Sequence, residues 1–239
     1  MPYDTISPFR PELSTRGKTV FITGGCIGIG IGIGASIAKA FAQSGAAIGI
    51  IGRREHLLKD RVPEIVAMSS YTEIKVQYVV ADVTKYDQIS DAFEKLSGSL
   101  GNVDIFVSNA GFLPKPTPLR EADDTEWWTT FETNVKGNFN AVCAFLKYAA
   151  PKPILISVNS EIAHLPVMPG YSAYAASKIA TDLPGAFIVW LSSPEAKFLK
   201  GKFVWTNWDV DDLKFRAQEI MSSKDLELTL VGPAFRANL

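Results

Sequence analysis

Short apolar runs alternate with longer amphipathic ones through the first two thirds of the chain. Residues 18–23 (KTVFIT) are β-rich and stop at glycine, which predicts a strand. Residues 24–34 form a glycine loop. Residues 35–44 (ASIAKAFAQS) have helical composition and end before Gly45, a residue suited to closing a helix. The alternation continues with strands over residues 47–51, 74–80 and 104–108, and helices over residues 55–68 and 86–96. Residues 112–119 hold three prolines and predict a loop. Residues 124–148 suit a long helix, with Asp123 or Asp124 near its N-cap. Residues 154–158 make a fifth, nearly all-apolar strand.

Continuous apolar strands alternating with helices imply a parallel sheet covered on both faces. The fold class is therefore α/β, a doubly wound, Rossmann-like sheet in one domain over residues 18–239. An irregular arm over residues 1–17 precedes it. Hydrophobic residues make up 47% and charged residues 21%, ordinary values for a globular protein. With a net charge of −1, the chain has no basic field for nucleic acid or an anionic membrane.

Cys26 and Cys143 are far apart in apolar surroundings and read as buried thiols. His56 and His164 lack ligand spacing, so no metal site is expected. The uncharged stretch over residues 24–38 is too short to span a bilayer. The polar, proline-bearing start does not read as a signal peptide. A soluble, cytoplasmic protein is expected.

A parallel sheet of this kind binds ligands outside the carboxyl ends of its strands. The first such end is Thr23, Gly24, Gly25, Cys26, Ile27, Gly28, Ile29, Gly30. Glycines there let backbone N–H groups approach a pyrophosphate at the next helix's N-terminus. From Gly28 glycine and isoleucine alternate as far as Gly34, about four residues more than the motif needs. Counted from the strand, the loop glycines are Gly28 and Gly30; counted back from the helix, Gly32 and Gly34 fit equally well. We adopt the strand count, which assigns Gly24, Gly28, Ile29 and Gly30 to the cofactor.

The second strand ends in Ile51 and Gly52, followed by Arg53 and Arg54, with no carboxylate for a ribose 2′-OH. Two guanidiniums there suit a 2′-phosphate and favour NADP(H) over NAD(H). Further along, Tyr174 and Lys178 lie four apart and share a helical face. A lysine ammonium beside a phenol lowers its pKa and fits it for proton transfer. Ser160, just past the fifth strand, is placed to hydrogen-bond a substrate oxygen. Asn134 is a poor helix former in mid-helix, where it holds a kink or a water or faces solvent. Trp127 and Trp128 suit either the lining of a substrate entrance or core packing, and packing is the expectation adopted.

Together these residues resemble the classical short-chain dehydrogenase/reductase family. The matching pieces are T-G-x-x-x-G-x-G at Thr23 to Gly30, Asp82-Val83, Ser108-Asn109-Ala110-Gly111, Asn134, Ser160, Tyr174 and Lys178. The wording of the C-terminal third is similar to a fungal branch often found in secondary-metabolite pathways. The resemblance implies that Tyr174 is the proton donor or acceptor. Lys178 would lower its pKa and bind the nicotinamide ribose, Ser160 would orient the carbonyl, and Asn134 would hold a water linking Lys178 to solvent. Asp82 would contact the adenine, and Asn109 would lie near the adenosine-side ribose.

Three departures from the family pattern stand out: the longer glycine loop, Ser108 where the family has asparagine, and the stretch after Lys178. There the chain runs through Ile179 to Asp182 straight into Leu183, Pro184 and Gly185. A strand and most of a substrate lid are expected to be missing. A late strand over residues 202–205 would lose its neighbour, and the helix that usually forms the family's homo-oligomer face would be shortened. The expected function is NADP(H)-dependent hydride transfer to or from a small-molecule ketone or secondary alcohol. The alternative is a truncated, redox-silent nucleotide-binding protein.

Overall fold

The computed structural model describes residues 4–25, 32–160, 162, 168–178, 193–200, 202, 204 and 208–226. Five parallel strands form one sheet: β1 (Thr19–Thr23), β2 (Ala47–Gly52), β3 (Val76–Val80), β4 (Val103–Ser108) and β5 (Ala149–Ser157). Their order is β3-β2-β1-β4-β5. Helices α1 (Ile33–Gln43), α2 (Glu55–Ala67) and α3 (Tyr86–Leu100) link the first four strands. The expected Rossmann-like α/β fold is present.

The apolar runs are continuous because β1 and most of β2 are covered on both faces. Along β1, Val20 and Ile22 enter a core layer with Ile37, Phe41 and Leu58. Phe21 points the other way, into a layer with Phe93, Phe106 and Phe145. These rings meet in sequence at 5.3, 5.2 and 5.3 Å between centroids, the first two edge to face. Each such buried side chain contributes roughly 1.5–3 kcal/mol. Gly49 leaves the room this layer needs, since a Cβ there would lie 2.8 Å from the Phe21 ring.

Several boundaries moved from the expected ones. Helix α3 runs through Gly98 to Leu100 and stops at Gly101, whose φ is +96°. Strand β5 begins at Ala149 despite Pro151 and Pro153. Its pairing with β4 has a register shift between Val103 and Ile105, and both prolines fall in that irregular stretch, between Ala149 and Ile154.

The long helix is continuous over residues 124–148. It comprises α4 (Asp124–Phe131), a π-turn (Glu132–Lys136) and α5 (Gly137–Tyr148). Asp123 is its N-cap and accepts from Glu126 N. Trp128 is 59% exposed, so it is not a core residue as expected; it stacks with Phe131 on the helix surface. Cys143 is half-buried rather than fully buried, and His56 is exposed.

Residues of the N-terminal arm form two 3-10 turns (Asp4–Ile6 and Pro11–Leu13), and their Ile6 and Leu13 side chains enter the core. Arg10 pairs with Glu195 at 3.0 Å, and Thr5 donates to Asp211 at 2.6 Å. Cys26, His164, Pro184 and Gly185 lie outside the described residues. Of the expected late strand over residues 202–205, only Lys202 and Val204 are described, and neither is in a strand. Among the described residues no helix is long and apolar enough to cross a membrane.

Candidate active site

The strand order reverses between β1 and β4, and there the carboxyl ends of the strands leave a crevice. Asn109 stitches its two sides together. Its Nδ2 donates to Thr23 O at 2.9 Å and Gly24 O at 3.1 Å, and its backbone N–H donates to Thr23 Oγ1 at 3.1 Å. Ser108 donates to Asn138 Oδ1 at 2.7 Å and so ties the end of β4 to α5.

Gly24 has φ +69°, and a Cβ on it would stand 2.9 Å from Ala110 Cα. Helix α1 starts only at Ile33, with Gly32 at its N-cap. Gly34 packs so closely that a Cβ would lie 2.5 Å from Gly24 O and 2.6 Å from Asn109 Nδ2. The tight contact between the helix start and β1 therefore falls on Gly34. Gly28, Ile29 and Gly30 lie outside the described residues.

A cleft of about 200 Å³ opens from this crevice. Gly24, Arg53, Asp82 and Asn109 line one end, and Tyr174 and Lys178 line the other. Arg53 Nη1 lies 4.0 Å from Asp82 Oδ2. The other Asp82 oxygen accepts from Thr84 N and Thr84 Oγ1, both at 2.9 Å. Arg54 is the exposed N-cap residue of α2 and is not among the cleft-lining residues.

Helix α6 (Ser172–Lys178) carries Tyr174 and Lys178 on one face, as their spacing predicts. Lys178 is buried, its Nζ 5.8 Å from the Tyr174 ring centroid and donating to Val158 O at 2.9 Å. Burial pushes the Tyr174 phenol above its ordinary pKa, and a hydrogen bond with Ser160 pulls it partly back. The net shift is upward, opposite in direction to the lowering expected of this site. The Lys178 ammonium lies over the Tyr174 ring and donates to the Val158 carbonyl. Ser160 N donates to Asn159 Oδ1 at 2.7 Å.

Asn134 is buried in a π-turn that interrupts the regular helix, so it does not face solvent. The turn is closed by Gly137 N donating to Glu132 O. The Asn134 amide is held on both sides. Oδ1 accepts from Phe112 N at 2.7 Å, and Nδ2 donates to Phe112 O at 3.0 Å and Ser177 Oγ at 2.8 Å.

Two residues of this site escaped the sequence reading, Phe112 and Ser177, while Gly34 belonged to the register counted back from the helix, which was not the one adopted. Ser177 had a signal, since it follows Tyr174 by three and shares its side of a helix. Phe112 acts through backbone atoms, which leave no mark in a side-chain pattern.

A family model described as short chain dehydrogenase matches residues 18–183. The chain is 30% identical to the short chain dehydrogenase mpl6 of Monascus purpureus, with 96% of this chain and 93% of that protein aligned. That alignment covers 280 positions against a chain of 239 residues, so more than forty positions of it face gaps in this chain.

Among solved structures, the chain resembles a blue fluorescent protein from a metagenomic library in complex with NADPH. Identity is 30% and the TM-score 0.61, over 69% of this chain and 64% of that one. It also resembles an alcohol dehydrogenase of the archaeon Thermococcus sibiricus complexed with 5-hydroxy-NADP. Identity there is 27% and the TM-score 0.61, over 68% of this chain and 66% of that one. The matched part is somewhat under two thirds of each solved chain.

Proposed function

The chain belongs to the short chain dehydrogenase family, and from that premise we propose NADP(H)-dependent reduction of a ketone, or oxidation of a secondary alcohol, in fungal secondary metabolism. The family is one of oxidoreductases that bind NAD(P) and act on small carbonyl or alcohol compounds. The observation that carries the finer reading is the single cleft joining Arg53 at one end to Tyr174 and Lys178 at the other.

The residues present fit a dinucleotide. Gly24 and Gly34 let the start of α1 close on the end of β1 and on Asn109, where a Cβ at either would clash, and a helix start held there can face a pyrophosphate. Arg53 offers a guanidinium fork to a 2′-phosphate. Asp82 and Asn109 flank the adenosine half, with Arg54 outside the cleft as a source of longer-range positive charge. When bound, the nicotinamide supplies or takes up the hydride.

The chain's own residues handle the proton and the geometry. Tyr174 gives its phenolic proton to the carbonyl oxygen as that carbon gains a hydride, and takes it back in the reverse direction. A phenol, which burial pushes further up here, is protonated at neutral pH, the form a reductase needs at the start of a turnover. Ser160, bonded to Tyr174, holds the same oxygen. Lys178 supplies positive charge behind the phenol, steadying the phenolate left by proton transfer, and grips the nicotinamide ribose. Asn134 braces α6 from behind and leads water toward Lys178.

Tyr174→Phe tests this. NADPH oxidation over a ketone panel should fall by roughly 10²- to 10⁴-fold, with NADPH binding retained in a tryptophan-to-nicotinamide energy-transfer titration. Retained turnover would overturn the assignment.

A second reading draws on the gaps against the mpl6 protein. With part of a family member's length missing, the chain would bind NADPH and leave every ketone unreduced. A wild-type chain that titrates with NADPH and never oxidises it would establish that reading instead.

A further inference from the structure

Ser177 is completely buried and belongs to none of the motifs that suggest chemistry. Its hydroxyl is used twice. It donates to Tyr174 O at 2.9 Å, one turn back in α6, and accepts from Asn134 Nδ2 at 2.8 Å. The first bond is ordinary for a helical serine. The second crosses to another element, and it completes a chain of contacts from Phe112 after β4, through the π-turn, into the helix that carries Tyr174 and Lys178.

Asn134 is fixed in orientation by Phe112, whose N–H requires Oδ1 and whose carbonyl requires Nδ2. With the amide locked in that way, its second N–H has one direction to point, and Ser177 stands there. The bond therefore sets the position of α6 relative to a rigid reference rather than to another mobile side chain.

We propose that Ser177 is a positioning residue: through its bond to the clamped Asn134 amide it fixes the register of α6 and hence the placement of Tyr174 against the substrate carbonyl. This rests on the role given to Tyr174 above. Ser177 itself touches neither substrate nor cofactor and does not line the cleft.

An alanine at 177 removes the acceptor and leaves a buried Asn134 N–H unpaired, a state relieved only by movement of α6 or the π-turn. A displacement near 1 Å at a reacting group costs on the order of 10²-fold in rate. Ser177→Ala should therefore lower kcat by about 10- to 100-fold. The KM and the directly titrated Kd for NADPH should change by no more than about threefold, because Lys178 is the one proposed cofactor contact on α6, while Gly24, Arg53 and Asp82 lie on other elements. Ser177→Thr keeps the hydroxyl and should recover most of kcat.

The experiment measures kcat, KM and NADPH binding for wild type, S177A, S177T and Y174F, with a thermal melt of each. A kcat loss confined to S177A, with NADPH binding intact and threonine rescuing, supports the proposal. An S177A kcat equal to wild type while Y174F is inactive overturns the proposal alone. Parallel loss of kcat, NADPH binding and melting temperature in S177A also overturns it, since general loosening then accounts for the effect. An active Y174F, or a wild type without turnover, removes the functional reading and this inference with it.

Discussion

The two ends of the cleft are built differently. At the Arg53 end the charged pair is loose, with Arg53 and Asp82 4.0 Å apart and the long Arg53 side chain 53% exposed. At the Tyr174 end the supporting polar groups are short and buried, and they bond at 2.7–3.0 Å in a chain through Phe112, Asn134 and Ser177. The difference matches what the proposed function would ask of each end. Affinity for a charged phosphate tolerates side chains that swing into place. Proton and hydride transfer require the reacting atoms to be held in advance.

Breaking the buried end should give the largest effect on the fold. Asn134→Ala leaves the Phe112 backbone groups and the Ser177 hydroxyl without their partner. Urea unfolding should show a loss of about 2–4 kcal/mol. A change under about 0.5 kcal/mol would mean that the buried network is no more constrained than the exposed one, and the contrast between the ends would fail.

Breaking the exposed end should leave stability alone. Arg53→Ala removes a weak surface pair, so its unfolding free energy should stay within about 0.5 kcal/mol of wild type. Its NADPH affinity should fall roughly 10- to 100-fold through loss of charge-assisted bonds to the 2′-phosphate, with NADH affinity little changed. Parallel titrations with the two cofactors measure this. Equal losses for both would show that Arg53 does not choose between them.

The smallest effect sharpens the contrast through pH. Burial raises the folded-state pKa of Tyr174, so the fold favours the neutral phenol. That contribution is complete below the ordinary tyrosine value of about 10 and is lost as pH rises through the shifted one. Wild type should therefore lose stability between about pH 9 and 11 more steeply than Tyr174→Phe. Unfolding of both proteins across that range gives the comparison, and identical slopes would mean that the phenol is not held neutral by the fold.

Much of the sheet was legible because β1, β2 and β4 are buried on both faces, and burial of that kind writes an unbroken apolar run. Strand β5, at the edge among the described residues, was read short because only residues 154–158 form an apolar run, while the proline-bearing start pairs through an irregular register. Helix α3 outran its expected end because Gly98 is tolerated where nothing packs against it, and the left-handed Gly101 makes the stop. In the site, Tyr174 and Lys178 were legible through helical spacing. Trp128 was misread because an aromatic residue on a surface helix looks the same in sequence as one in a core.

The sequence by itself determined the alternation of strands and helices, the glycine-rich turn after β1, the basic pair after β2 and the Tyr174–Lys178 face. Each of these depends on local spacing or on burial periodicity, which a chain carries residue by residue. Only the tertiary structure decided that Gly34 meets the end of β1, that Arg53 and not Arg54 enters the cleft, and that Lys178 stands over the Tyr174 ring. It alone joined Phe112, Asn134 and Ser177. The Asn134–Ser177 bond alone links residues 43 positions apart, and such contacts depend on how elements pack in three dimensions, which no spacing along the chain encodes.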